Sequence, residues 1–141
     1  MKNKIFLASD HGGFPLKETI FFFLKEKNMN VEDLGCKSLV AVDYPDYAKL
    51  LANKIKKNNS YGIVFCGTGL GISIASNRFS HVRAALCTSV EMASLSRKHN
   101  NANVLALGGR IIKTELAKEI VFKFLNTEFE AGRHLLRINK I

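Results

Sequence analysis

At 141 residues, with 47% hydrophobic and 23% charged residues, the chain has the size and composition of one soluble globular domain over residues 1–141, not of a disordered or fibrous chain. No apolar run approaches the ~20 residues needed to span a bilayer, and three scattered cysteines (Cys36, Cys66, Cys87) with no C-x-x-C pair argue against a disulfide framework or a zinc site. The 21 Lys and Arg against 12 Asp and Glu, net +9, favour anionic partners without choosing among RNA, an acidic membrane surface and a phosphorylated metabolite.

The basic start Met1–Lys4 and the apolar run Ile5–Ser9 are too short for a secretory signal, and a cytoplasmic protein is expected. Ile5–Ser9 reads instead as a first strand. Phe14–Lys27 follows, with Leu16, Ile20, Phe23 and Leu24 at helical spacing and Pro15 in the first turn. Val31–Leu34 is a second strand closed by Gly35. Tyr44–Lys57 is a second helix on Ala48, Leu51, Ala52 and Ile55. Tyr61–Cys66 is a third strand, running into Gly67-Thr68-Gly69-Leu70-Gly71 and a helix over Gly71–Phe79. Arg83–Cys87 is a fourth strand and Ser89–Lys98 a helix capped by Thr88 or Ser89. Val104–Leu107 is a fifth strand, and Thr114–Asn126 a helix with Thr114 as its cap. A basic tail, Arg133–Ile141, ends the chain. Lysines such as Lys25, Lys27, Lys56 and Lys57 fall on solvated helix faces.

Strands alternating with helices predict an α/β fold: a three-layer α/β/α sandwich around a five-stranded parallel sheet, in the flavodoxin-like order 2-1-3-4-5. Such sheets bind ligands beyond the carboxyl ends of their strands, where the strand order reverses. Here that place lies between strands 1 and 3, and the segments beyond it are Asp10-His11-Gly12-Gly13 and Cys66 to Gly71.

The motifs each carry an ordinary reading and a functional one. Gly67-x-Gly69-x-Gly71 is a tight strand-to-helix turn, or a cradle of backbone N–H groups for an anion or oxyanion. It is not a dinucleotide fingerprint, since Ile72 stands where glycine is needed, and no Gly-Lys-Ser/Thr makes it a phosphate-binding loop of the nucleotide type. Cys66 is a buried strand cysteine, or a thiol next to a helix start that can serve as base or nucleophile. Asp10-His11 is a polar turn, or a pair of groups at a ligand site. His99 is a histidine at a helix end, where it can simply interact with the helix dipole; His81 reads as surface. Arg133 and Arg137, four apart, face one way if the tail is helical and can clamp a phosphate, with Arg110 joining them. The alternative is a solvated basic tail.

Together these pieces resemble the type B ribose-5-phosphate isomerases and the galactose-6-phosphate isomerase subunits grouped with them. The resemblance runs along nearly the whole chain: Ser9-Asp10-His11-Gly12-Gly13, Asp43-Tyr44-Pro45, Cys66 to Ala75, Ser96-Arg97-Lys98-His99-Asn100, Asn103 to Ala106, Gly109-Arg110 and Gly132-Arg133-His134-x-x-Arg137. It implies a Rossmann-like fold, a homodimer or a tetramer of paired dimers, and no cofactor or metal. It implies Cys66 as the base between C1 and C2, Thr68 within a Gly67–Gly71 loop (Gly67, Gly69, Leu70, Gly71) that holds the enediolate oxygen, and His99 opening the furanose ring. Asp10, His11, Asp43 and Asn100 would hold hydroxyls or phosphate, and Arg110, Arg133, His134 and Arg137 would line the phosphate side. Relatives lacking this cysteine carry a glutamate just after the last glycine; here Ile72 is in that place, so a cysteine-type enzyme is expected. The resemblance further implies that His99-Asn100 serves the partner subunit's site. Competing readings are an isomerase of allose or galactose 6-phosphate, a basic RNA-binding module, against which stand the missing RRM and KH signatures, and a nucleotide-binding regulator. Neither nucleic acid nor membrane is expected as a partner.

Overall fold

Apolar residues that alternate along the strands build two cores on opposite faces of one sheet. The computed structural model describes residues 3–55 and 59–141. Its elements run β1 (Lys4–Ser9), α1 (Phe14–Glu26), β2 (Val31–Asp33), α2 (Tyr44–Lys54), β3 (Ser60–Cys66), α3 (Leu70–Ser76), β4 (Ala84–Leu86), α4 (Val90–Asn100), β5 (Val104–Gly108), α5 (Thr114–Leu125) and α6 (Arg133–Ile138). Ile5, Leu7, Ile63, Phe65, Leu105 and Leu107 face α1, α4 and α5. Phe6, Ala8, Val64, Cys66, Val104 and Ala106 face α2 and α3. A period of two along strands covered on both sides gives nearly continuous apolar runs.

Every strand pair is parallel, and the order is β2-β1-β3-β5-β4. This corrects the expected 2-1-3-4-5 at its last two strands. The physical reason is burial: Val104–Gly108 is buried throughout, whereas Ala84–Leu86 is three half-buried residues long. A short, half-exposed strand suits the edge, and β5 takes the interior place beside β3. The reversal between β1 and β3 is unaffected.

Smaller differences follow local chemistry. Ser89 caps α4 as expected, its hydroxyl accepting from Met92 N–H at 3.1 Å. Thr114 does not cap α5; Lys113 holds the N-cap position without a side-chain bond. Helix α2 stops at Lys54, and Lys56 and Lys57 lie outside the described residues. His81 is not simply surface: it is half-buried, with its Nε2 2.8 Å from the Ala52 carbonyl.

Two buried cations stiffen the frame. Lys17 is fully buried and pairs with Asp33 at 2.6 Å and Glu18 at 3.1 Å. Arg97 lies over the Tyr61 and Phe124 rings and donates to the carbonyls of Ala102 (2.6 Å) and Thr127 (3.1 Å). Removing either partner would leave a buried polar group unpaired, the costly case. Among the described residues no helix is long and apolar enough to cross a membrane.

Candidate active site

The carboxyl-terminal edge of the sheet is assembled from backbone packed on backbone. The loops after β1, β3 and β5 lock together: Gly109 N–H donates to the Cys66 carbonyl and Arg110 N–H to the Gly67 carbonyl, both at 2.9 Å. A Cβ on Gly12 would lie 3.0 Å from the Gly67 nitrogen, tighter than an ordinary contact, so glycine favours this approach. Gly69 sits at φ +80°, and a Cβ there would meet the main chain of Leu107 and Gly108 at 2.9 and 3.0 Å. That left-handed residue turns the chain from β3 into α3.

Into this edge project the side chains expected at the switch point. Cys66 is buried, and its sulfur accepts from Gly69 N–H at 3.1 Å. Thr68 is exposed, its hydroxyl accepting from Leu70 N–H at 3.2 Å. Asp10 is 7% exposed and its carboxylate accepts from Gly13 N–H at 3.0 Å. His11 Nδ1 accepts from Val42 N–H at 3.2 Å, which leaves the proton on Nε2. Asp43 is exposed at the start of α2 with no capping bond. The Arg110 guanidinium overhangs Gly12 and Gly67. Tyr44, outside the expected site residues, joins them: a Cβ on Gly71 would lie 2.6 Å from its ring. Its place in the Asp43-Tyr44-Pro45 motif is the signal in the sequence.

A second group gathers elsewhere. Helix α4 begins after β4 and ends just before β5, so its last turn lies at the amino-terminal edge of the sheet. There the His99 and His134 rings stack, with centroids 4.2 Å apart and planes at 14°. Glu130 N–H donates to the Lys98 carbonyl at 3.1 Å, bringing α6 beneath α4. The tail is helical as expected, with exposed Arg133 and Arg137 one turn apart, and exposed Asn100 lies beside His99. Burial, then the nearby His99 and Arg133, hold the His134 imidazole below the ordinary histidine value, with Glu130 opposing. Among the described residues, Arg110, Arg133 and Arg137 make no ion pair with a carboxylate.

This division separates the expected phosphate-side arginines within one chain. Arg110 does not join Arg133 and Arg137 within the chain, because it follows the carboxyl end of β5 whereas they ride on a helix docked at the other edge. The five residues of β5 at about 3.3 Å each separate the edges by roughly 16 Å. Cys36 and Cys87 keep their ordinary roles as buried thiols; burial pushes the Cys87 thiol up to about 11, against a lowering hydrogen bond from Ser96.

Comparison with known proteins matches this arrangement over almost its full length. The ribose/galactose isomerase family model matches residues 5–141. Ribose-5-phosphate isomerase B of Escherichia coli K12 is 45% identical over 98% of this chain and 93% of its own. The crystal structure of a ribose 5-phosphate isomerase from Thermotoga maritima superposes with a TM-score of 0.96 at 52% identity, covering 99% of this chain and 97% of that one. Ribose-5-phosphate isomerase B from Mycoplasma genitalium, crystallised with ribulose-5-phosphate bound, gives 0.93 at 46% identity over 97% and 92% of the two chains. With matching residues, fold and glycine-lined strand ends, the chain belongs to the ribose/galactose isomerase family.

Proposed function

We propose that this chain interconverts D-ribose 5-phosphate and D-ribulose 5-phosphate through a cis-enediolate, as a cytoplasmic enzyme of one isomerase domain over residues 1–141. The observation that carries the reading is the Cys66 sulfur at the end of β3, under the Gly69 N–H and beside the turn into α3. In the open aldose, the Cys66 thiolate takes the proton from C2. The C2–H electrons form the C1=C2 bond, and charge passes to O1. Returning the proton to C1 and moving the hydroxyl proton from O2 to O1 leaves the ketose. One base serves both carbons because they are adjacent. The developing oxyanion needs donors aimed at it in advance, and the first N–H groups of α3, which have no intrahelical carbonyl to serve, supply them. Thr68 borders that loop. Asp10, His11 and Asp43 hold sugar hydroxyls, with Asp10 fixed by Gly13 and His11 by Val42. No step draws on a cofactor or metal.

His99 opens the furanose, Asn100 holds the sugar, and Arg133, His134 and Arg137 hold phosphate, with Arg110 approaching from the other side. The phosphate thereby lends remote binding energy to alignment of C1 and C2. Because Cys66 and His99 belong to opposite sheet edges, a homodimer, alone or paired into a tetramer, supplies both halves of each site. Exposed apolar residues beside the loop, Leu70 (56%) and Ile74 (68%) on α3, support a face covered by a second copy. A coupled assay with ribose 5-phosphate in the presence of EDTA tests the activity: ribulose 5-phosphate should form undiminished. A higher catalytic efficiency on allose or galactose 6-phosphate would transfer the assignment to a six-carbon sugar.

A further inference from the structure

The pair of histidines at the amino-terminal edge has a third companion. His99 in the last turn of α4, Glu130 in the segment before α6 and His134 in the first turn of α6 each bring a donor atom to one place, all within 4.8 Å of one another. Their backbones are tied together. Glu130 N–H donates to the Lys98 carbonyl and His134 N–H to the Ala131 carbonyl, both at 3.1 Å, and Arg97 clamps the Thr127 and Ala102 carbonyls on either side. Their side chains are not: among the described residues neither imidazole hydrogen-bonds to protein, and the two rings lie against each other.

We propose that His99, Glu130 and His134 form a binding site for a zinc-class divalent cation, and that filling it stops turnover. Two imidazole nitrogens and a carboxylate oxygen are a donor set for borderline metals, and not for magnesium or calcium, which prefer all-oxygen shells. Around a tetrahedral ion at about 2.0–2.2 Å from each donor, the donors stand roughly 3.3 Å apart. Closing from within 4.8 Å requires the side chains to rotate, and half-buried His99 and exposed Glu130 have room to do so. The stacked rings must swing until their lone pairs converge, leaving the fourth position to water. Arg133 and Arg137 stand on the same short helix and repel a cation. The affinity therefore falls in the micromolar range rather than that of a structural zinc site. The metal is an inhibitor here and takes no part in the reaction. That second half of the proposal rests on His99 being the ring-opening group, because a metal on its nitrogen removes it from proton transfer.

The test titrates zinc into metal-free, full-length protein by calorimetry and, separately, into the isomerase assay, comparing wild type with Glu130→Gln and His134→Gln. Glu130 has no role in the proposed reaction, so Glu130→Gln should keep the zinc-free turnover. Wild type should take up one zinc per chain, millimolar magnesium should neither compete nor inhibit, and each variant should bind at least roughly tenfold more weakly. Inhibition of Glu130→Gln should shift to higher zinc in parallel. Absence of uptake by wild type at about 100 µM zinc, or equal uptake by all three proteins, would overturn the site. Equal inhibition of wild type and Glu130→Gln would assign the effect to another ligand, such as Cys66, and overturn the inhibitory half. Zinc uptake lost in both variants by a protein with no isomerase activity would keep the site and refute the role given to His99.

Discussion

The two edges of the sheet are built by different means. At the carboxyl-terminal edge, main chain meets main chain: glycines at 12, 69 and 108 let the loops interlock, and Cys66 and Asp10 are held by backbone N–H groups. At the amino-terminal edge, His99, Asn100, Arg133, His134 and Arg137 reach out from helix ends, held by one ring stack and a few carbonyl contacts. A rigid backbone cradle suits a developing oxyanion, which needs preplaced dipoles. Long cationic side chains suit a phosphate that arrives already charged. Under the proposed function, chemistry and anchoring sit at separate edges of one chain and a homodimer rejoins them.

Breaking the first edge at its base should have the largest effect. Cys66→Ala should lower turnover by at least about 100-fold, the lower range of general-base contributions, while circular dichroism and thermal midpoint stay near wild type. Near wild-type turnover would remove Cys66 from the chemistry. Gly69→Ala tests whether the cradle depends on backbone shape. A left-handed non-glycine residue costs about 1–3 kcal/mol, and overlap with the unyielding main chain of Leu107 and Gly108 adds more. Stability to urea and turnover should both fall; a loss in neither would show that the loop adapts. Arg137→Ala probes the second edge and should be milder. Losing a charge-assisted contact to phosphate should cost about 1.5–3 kcal/mol in kcat/KM, and the deficit should largely vanish with ribose lacking phosphate. An equal loss on both substrates would place Arg137 elsewhere.

Much of this contrast was legible in the sequence, for local reasons. Strand ends carrying Asp10-His11 and Cys66-Gly67 announce a ligand edge because polar and glycine residues interrupt apolar runs there. The position of β5 was not legible, because Val104–Gly108 and Ala84–Leu86 both read as apolar strands and only burial in the assembled sheet ranks them. Lys17 and Arg97 look like solvated helix residues; their partners Asp33 and Thr127 lie 16 and 30 positions away. The histidine stack is likewise a contact between residues 35 apart, and no periodicity signals it.

The claim that matters most is that neither edge suffices alone, and one mixing experiment reaches it directly. Cys66→Ala and His99→Ala proteins, each nearly inactive, are combined under conditions that exchange subunits. Random pairing makes about half the dimers mixed, each holding one intact and one doubly damaged site. About a quarter of wild-type activity should return. No recovery, with mixed dimers shown to be present by mass spectrometry, would contradict a site shared between the two edges.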